Sequence, residues 1–204
     1  MRHDKILFIP GFQKAGTTQL FNTLVETGLF DGFRYKESYF FDLDEETIEK
    51  NFSWYLDNYK DDNRIKLDAT TSYAYSRRAI ENIKNVWEDP YFLFIKRDQA
   101  ERSYSAYLHM VKKNCHDRRS FDNIVEALRE AKPGKLYEYE EYLIQESRRK
   151  SEIDFNYHGF DYMRKVFNVD FDSIYEDPNW AYRYFSNSLY AVYIERYKVF
   201  LENV

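Results

Sequence analysis

The stretch Lys5-Ile6-Leu7-Phe8-Ile9-Pro10-Gly11-Phe12-Gln13-Lys14-Ala15-Gly16-Thr17-Thr18 decides how this chain is read. Its first six residues form an apolar run without alternation, the pattern of a strand buried on both faces of a parallel sheet. Its remainder carries two glycines five residues apart. Beyond it Leu20, Phe21, Leu24 and Val25 recur at helical spacing until Gly28 offers a C-terminal cap. Strand, glycine loop and helix follow one another, so loop amides and a helix N-terminus can face an anion, and residues 11–18 make a phosphate cradle.

Working outward, the pattern predicts a helix over 44–59, with Asp44, Glu45 and Glu46 where acids complement the dipole, and a short strand over 65–67. A helix over 76–87, an apolar strand over 91–96 and a helix over 99–111 follow. This alternation predicts an α/β fold, a P-loop or Rossmann-like parallel sheet flanked by helices. From about 120 onward the chain reads as mostly helical, with a break at Pro133-Gly134, a charged stretch over 146–152 and a last amphipathic helix over 189–201. No repeat or linker interrupts it, and 204 residues suit a single domain, 1–204.

Hydrophobic residues at 44% and charged residues at 32% lie near globular averages and indicate neither a disordered tail nor a membrane protein. Twenty Tyr and seventeen Phe supply large apolar areas with polar handles, which suits a core built around a planar ligand. A formal charge of −5 argues against a general nucleic-acid partner. The single Cys115 excludes an intramolecular disulfide and a cysteine-built zinc site. The first apolar run, broken by Pro10 and Gly11, is too short for a signal segment or a membrane span. A cytoplasmic protein with no membrane partner is expected.

The loop resembles that of nucleoside triphosphatases in its glycine spacing, yet Thr17 stands where their lysine would follow the second glycine, and Lys14 lies inside the loop instead. A triphosphate's terminal phosphates need that later lysine beside magnesium. A sulfuryl group carries less charge, so its transfer can rest on fixed donors, and no metal is expected.

In its form G-x-x-K-x-G-T-T, the segment from Gly11 to Thr18 resembles the phosphosulfate loop of the sulfotransferase superfamily, particularly its heparan sulfate and related carbohydrate branch. Phe92-Leu93-Phe94-Ile95-Lys96-Arg97-Asp98-Gln99-Ala100-Glu101-Arg102-Ser103-Tyr104-Ser105-Ala106-Tyr107 is similar to that family's strand, R-D-P-x-E-R-x-x-S-x-Y and helix, with Gln99 replacing proline. Arg34-Tyr35-Lys36-Glu37-Ser38-Tyr39-Phe40-Phe41-Asp42 is similar to its K-E-x-x-F-F segment, and the pair Trp54-Tyr55 also fits. Lys66-Leu67-Asp68-Ala69-Thr70-Thr71-Ser72-Tyr73 is a weaker likeness of E-K-T-P-x-Y, without the proline.

The resemblance implies transfer of a sulfuryl group from 3′-phosphoadenosine 5′-phosphosulfate (PAPS) to an acceptor hydroxyl or amine. It implies that Gly11, Phe12, Gln13, Lys14, Ala15, Gly16, Thr17 and Thr18 hold the donor, with Lys14 stabilising the leaving phosphate. Arg97 and Ser105 would hold the 3′-phosphate. Glu37 would be the catalytic base, Lys36 would polarise nearby groups, and Asp68 and Ser72 would line the site wall. A forked, permanently charged guanidinium and a hydroxyl two turns along a helix suit a phosphate. A carboxylate within reach of an acceptor hydroxyl suits proton removal.

The likeness covers about residues 5–110, with a vaguer pattern at Ser188-Leu189-Tyr190, Tyr193, Arg196-Tyr197 and Phe200. The family's following strand and basic, nucleotide-closing loop have no counterpart in this sequence, and Lys112, Lys113, Arg118 and Arg119 are the candidates to replace that loop. Acceptor choice falls to the loops and to residues 120–180, where fold analogy has no authority. A carbohydrate or small molecule is expected, met in part by a basic stripe of Arg34, Lys36, Arg77 and Arg78. Two other readings share the loop: a nucleotide kinase or triphosphatase, and a noncatalytic nucleotide-binding protein.

Overall fold

A computed structural model describes residues 5–60, 63–112, 117–153, 166–167 and 179–202. The chain runs β1 (Ile6–Phe8), α1 (Thr17–Glu26), β2 (Phe30–Gly32), α2 (Glu45–Leu56), β3 (Ile65–Asp68), α3 (Arg77–Val86), β4 (Pro90–Phe92), α4 (Gln99–Lys112), α5 (Phe121–Leu128), α6 (Leu136–Arg149) and α7 (Tyr190–Glu202). The four strands form one parallel sheet in the order β2-β3-β1-β4, and helices flank it. This is the expected α/β, Rossmann-like arrangement with a helical C-terminal part.

The apolar run of β1 is continuous because both of its faces are covered. Phe8 turns toward an aromatic cluster, with Phe41, Tyr73 and Phe92 at 5.7, 6.2 and 5.6 Å. Ile9, one residue on, turns to the opposite face, where Leu67 and Ala69 meet Leu20, Phe21, Leu24 and Val25 of α1. Successive strand side chains alternate faces, so two cores together require the unbroken run.

Three helices begin on side-chain caps. Asp44 accepts from the Thr47 amide at 2.9 Å, Ser76 from Ala79 at 3.1 Å and Ser120 from Asn123 at 3.2 Å, each satisfying an orphan donor of the first turn. Gly28, at φ 76°, closes α1 as expected, its amide donating to the Val25 carbonyl.

Two strands differ from the sequence reading. β2 was not expected, because Asp31 and Gly32 are poor strand formers. Gly32 is required by packing, since a Cβ there would lie 2.5 Å from the Phe21 ring of α1. The strand expected over 91–96 is regular only at Pro90–Phe92, and it forms an edge on which Tyr91 is 53% exposed. Residues 93–95 continue as an irregular extension that donates from Leu93 to Phe8 and accepts at Ile95 from Phe12. No helix among the described residues is long and apolar enough to cross a membrane.

The cluster beside β1 is unusually aromatic. Tyr55 is fully buried, with the rings of Phe33, Phe40 and Phe41 at 5.5, 5.0 and 5.1 Å. Its hydroxyl donates to Asp68 at 3.1 Å and shares a hydrogen bond with Tyr59. Tyrosine therefore serves here as packing and as polar cross-link at once.

Candidate functional site

In an open parallel sheet, ligands collect beyond the carboxyl ends of strands where the strand order reverses. Here that place is the end of β1, with β3 on one side and β4 on the other. A cleft of about 590 Å³ lies there, lined by residues Gln13, Lys14, Ala15, Gly16, Thr17, Thr18 and Gln19, by Glu37, Tyr39 and Thr71, and by Arg97, Ser105 and His109.

The glycine loop reaches the cleft only from Gln13 onward. Gly11 and Phe12, expected to hold donor, do not line it. Phe12 is buried against Tyr190 at 4.6 Å, and Gly11 packs so tightly that a Cβ would fall 2.8 Å from that of Ala74. The Phe12 and Ala15 amides bond to the carbonyls of Ile95 and Phe12, so they are not aimed at a ligand. The cradle proper is the turn before α1. Gly16 occupies its N-cap at φ 109°, where glycine alone is unstrained, and the first-turn amides that start at Thr17 have no partner within the helix.

Left-handed backbone outside glycine occurs at Lys14, Lys36, Tyr39 and Ser151 among the described residues. Three of these four lie on the two loops that face each other across the cleft. Such conformations cost about 1–2 kcal/mol each and persist where surrounding structure enforces them, commonly at functional sites.

Glu37 stands opposite the cradle. One carboxylate oxygen accepts from Lys36 Nζ at 2.6 Å, and the other accepts from the Tyr39 hydroxyl and from Thr71 Oγ1 at 3.2 Å. Lys36 Nζ also donates to the Ala69 carbonyl at 3.0 Å. A carboxylate can accept about four hydrogen bonds, so three fixed partners still leave room for an incoming hydroxyl.

Asp68 and Ser72, expected in the site wall, are buried behind it and do not reach the cleft. Asp68 instead holds the Glu37 loop in shape. It accepts from Ser38 Oγ at 2.6 Å and from Thr70 Oγ1 at 2.6 Å, while Thr70 Oγ1 accepts from the Ser38 and Tyr39 amides. Burial pushes the Asp68 carboxyl up to about 6, against the opposing effect of these hydrogen bonds. Ser72 donates to Asp42 at 2.5 Å.

On the far side, Arg97 donates to Glu101 at 3.1 Å and to the Lys14 carbonyl at 3.5 Å, bridging the β4–α4 loop to the cradle across 83 residues of sequence. Ser105 and His109 stand one helical turn apart on α4, both opening on the cleft. Each member of the basic stripe has a partner within the chain. Lys36 is engaged with Glu37, Arg77 with Glu81 and Arg78 with the Asp42 carbonyl, while Arg34 stacks over the Tyr35 ring at 5.3 Å. Of the basic residues expected to replace a closing loop, Lys112, Arg118 and Arg119 do not line the cleft, and Lys113 lies outside the described residues, as does Cys115. Arg119 is locked to Asp117 at 2.6 Å.

The structure thus assembles Gln13, Lys14, Ala15, Gly16, Thr17, Thr18, Glu37, Arg97 and Ser105 around one space. It adds Gln19, Tyr39, Thr71 and His109, which the sequence reading passed over. His109 was within reach of that reading, since it follows Ser105 by one helical turn. Tyr39 and Thr71 are defined only by the fold. The chain matches no family model and no curated protein in sequence.

Proposed function

We propose that this protein is a sulfotransferase that takes a sulfuryl group from PAPS to a hydroxyl or amine on a carbohydrate or small molecule. The observation that carries the reading is convergence: a lysine-bearing anion cradle, an arginine–serine pair and a partly buried glutamate, from three separate sequence stretches, line one cleft.

The residues fit the donor's two anionic ends. The cradle at Lys14 to Thr18 suits the 5′-phosphosulfate, with Lys14 and the α1 amides stabilising charge on the phosphate oxygen as it leaves. Arg97, beside the cradle at the Lys14 carbonyl, and Ser105 on α4 suit the 3′-phosphate, and His109 adds a third group on the same cleft. Glu37 takes the acceptor proton as the new oxygen–sulfur or nitrogen–sulfur bond forms and the bond from sulfur to the 5′-phosphate oxygen breaks, releasing adenosine 3′,5′-bisphosphate. Lys36 holds Glu37 in place, and Asp68 fixes the loop that carries both.

Thermal melting with adenosine 3′,5′-bisphosphate tests the reading, because a ligand bound only by the folded state raises the melting temperature. At a hundredfold excess over Kd the expected stabilisation is about 2.7 kcal/mol, lost in Arg97→Ala and absent with adenosine 5′-phosphate. A shift seen only with ATP and magnesium would make the chain a kinase or triphosphatase. Bisphosphate binding without turnover of any acceptor would make it a noncatalytic nucleotide-binding protein.

A further inference from the structure

Arg102 is fully buried in α4, and its guanidinium reaches two distant stretches of chain. Nε donates to Ser188 Oγ at 2.6 Å, Nη1 to the Gln13 carbonyl at 3.3 Å, and Nη2 to the Tyr184 carbonyl. None of these acceptors is a carboxylate, and no carboxylate among the described residues forms an ion pair with Arg102. A buried guanidinium without such a partner is costly, so its retention needs a compensating interaction.

The bonds of Arg102 fall on a seam. Gln13 opens the cradle, whereas residues 184–188 lie behind the cleft and do not line it. The same segment is tied to α4 at further points, Gln99 Nε2 donating to the Ser188 carbonyl at 2.8 Å and Ser103 Oγ to the Tyr184 carbonyl at 2.7 Å, and just beyond it the Tyr190 hydroxyl donates to the Arg97 carbonyl at 2.9 Å. From its other side Glu140 accepts from the Phe185 and Ser186 amides at 2.9 and 2.8 Å. Arg102 thus bonds to both the cradle and this backing turn.

We propose that Arg102 is a positioning residue for the anion cradle, coupling occupancy of the cleft to the order of residues 184–188. The proposal rests on the cleft being an anion site. An anion in the cradle lies across the Gln13 peptide from the guanidinium and supplies the opposite charge that its buried setting lacks. Its two donors on Ser188 and Tyr184 transmit that gain to the turn. Coupling of this kind is reciprocal: what orders the turn favours the anion, and the anion orders the turn.

Hydrogen exchange of the unaltered protein, with and without saturating adenosine 3′,5′-bisphosphate and separately pyrophosphate, reads the coupling directly. Amides of residues 184–188 are expected to gain protection with either compound, although they touch neither. R102K keeps the charge and loses the fork, and is expected to weaken binding of both compounds by about tenfold and to abolish the added protection. If R102K does not fold, the exchange measurement on the unaltered protein carries the test alone. Protection confined to cleft residues, or R102K binding as tightly as the parent, overturns the coupling and leaves the cleft an anion site. Pyrophosphate binding without bisphosphate binding overturns the sulfotransferase reading while the coupling is still read with pyrophosphate. Binding of neither overturns both.

Discussion

Glu37 shows how one side chain's chemistry depends on its neighbours. Among thirty-five acidic residues, it is the one held by Lys36, Tyr39 and Thr71 at the rim of an anion cradle. Glu37→Gln keeps the shape and removes the proposed base, so turnover is expected to fall by about 10²–10⁴-fold with bisphosphate affinity little changed. Steady-state kinetics beside a binding isotherm checks this, and an unchanged kcat would remove Glu37 from the mechanism. Lys14→Ala is expected to lower turnover while leaving the melting temperature within about 1–2 °C, because Lys14 lines the cleft outside the core. Glu37 is legible in the sequence only through the likeness of its segment, since nothing in an acidic residue's own identity marks it. Its fixed geometry comes from Thr71 and Asp68, which are brought beside it by the pairing of β3 with β1 and β2.

At the level of elements, the loop before α1 and the start of α3 behave differently. Gly16→Ala puts a side chain at φ 109°, a conformation that L residues avoid, and misdirects the amides at Thr17 and Thr18. A loss of about 1–2 kcal/mol in stability is expected, together with a loss of bisphosphate binding, read by denaturant unfolding and by calorimetry. Ser76→Ala removes the α3 cap together with a hydroxyl that meets buried Asp42, and is expected to cost about 1–2 kcal/mol without touching the cleft. Should both variants lose binding equally, the cradle would not depend on local loop geometry. The start of α2 was readable because acids cluster in its first turn, whereas the capping roles of Asp44 and Ser76 appear with the structure. β2 was not, because Gly32 answers a close crossing of α1 and no local preference.

Across the whole molecule, buried carboxyls tie stability to pH. Asp42 is fully buried, and burial raises its carboxyl from 3.8 to about 7, the Ser72 hydroxyl and the Arg78 charge working the other way. The folded state therefore holds this proton more firmly than the unfolded chain. Its contribution is fully present below about pH 4 and is lost as pH rises through about 7. Melting temperature is expected to decline between about pH 4 and 7 and to level off above, by the equivalent of about 1 kcal/mol per pH unit at its steepest, and Asp42→Asn to flatten the decline. An unchanged slope in that variant would assign the dependence elsewhere, Asp68 being the other buried carboxyl raised toward neutrality. What the sequence by itself determined is local: the doubly buried β1, the glycine turn into α1 and the capped starts of α2 and α3, all written in contiguous residues by periodicity, backbone freedom and side-chain hydrogen bonding. The tertiary structure alone decided that Gly11 and Phe12 serve packing, that Asp68 supports the site from behind, and that Arg102 joins the cradle to residues 184–188. Each of these depends on partners 30 or more residues away, as Ser38 is from Asp68, Gln13 from Arg102 and Phe12 from Tyr190, and burial against such partners has no local signature in a sequence.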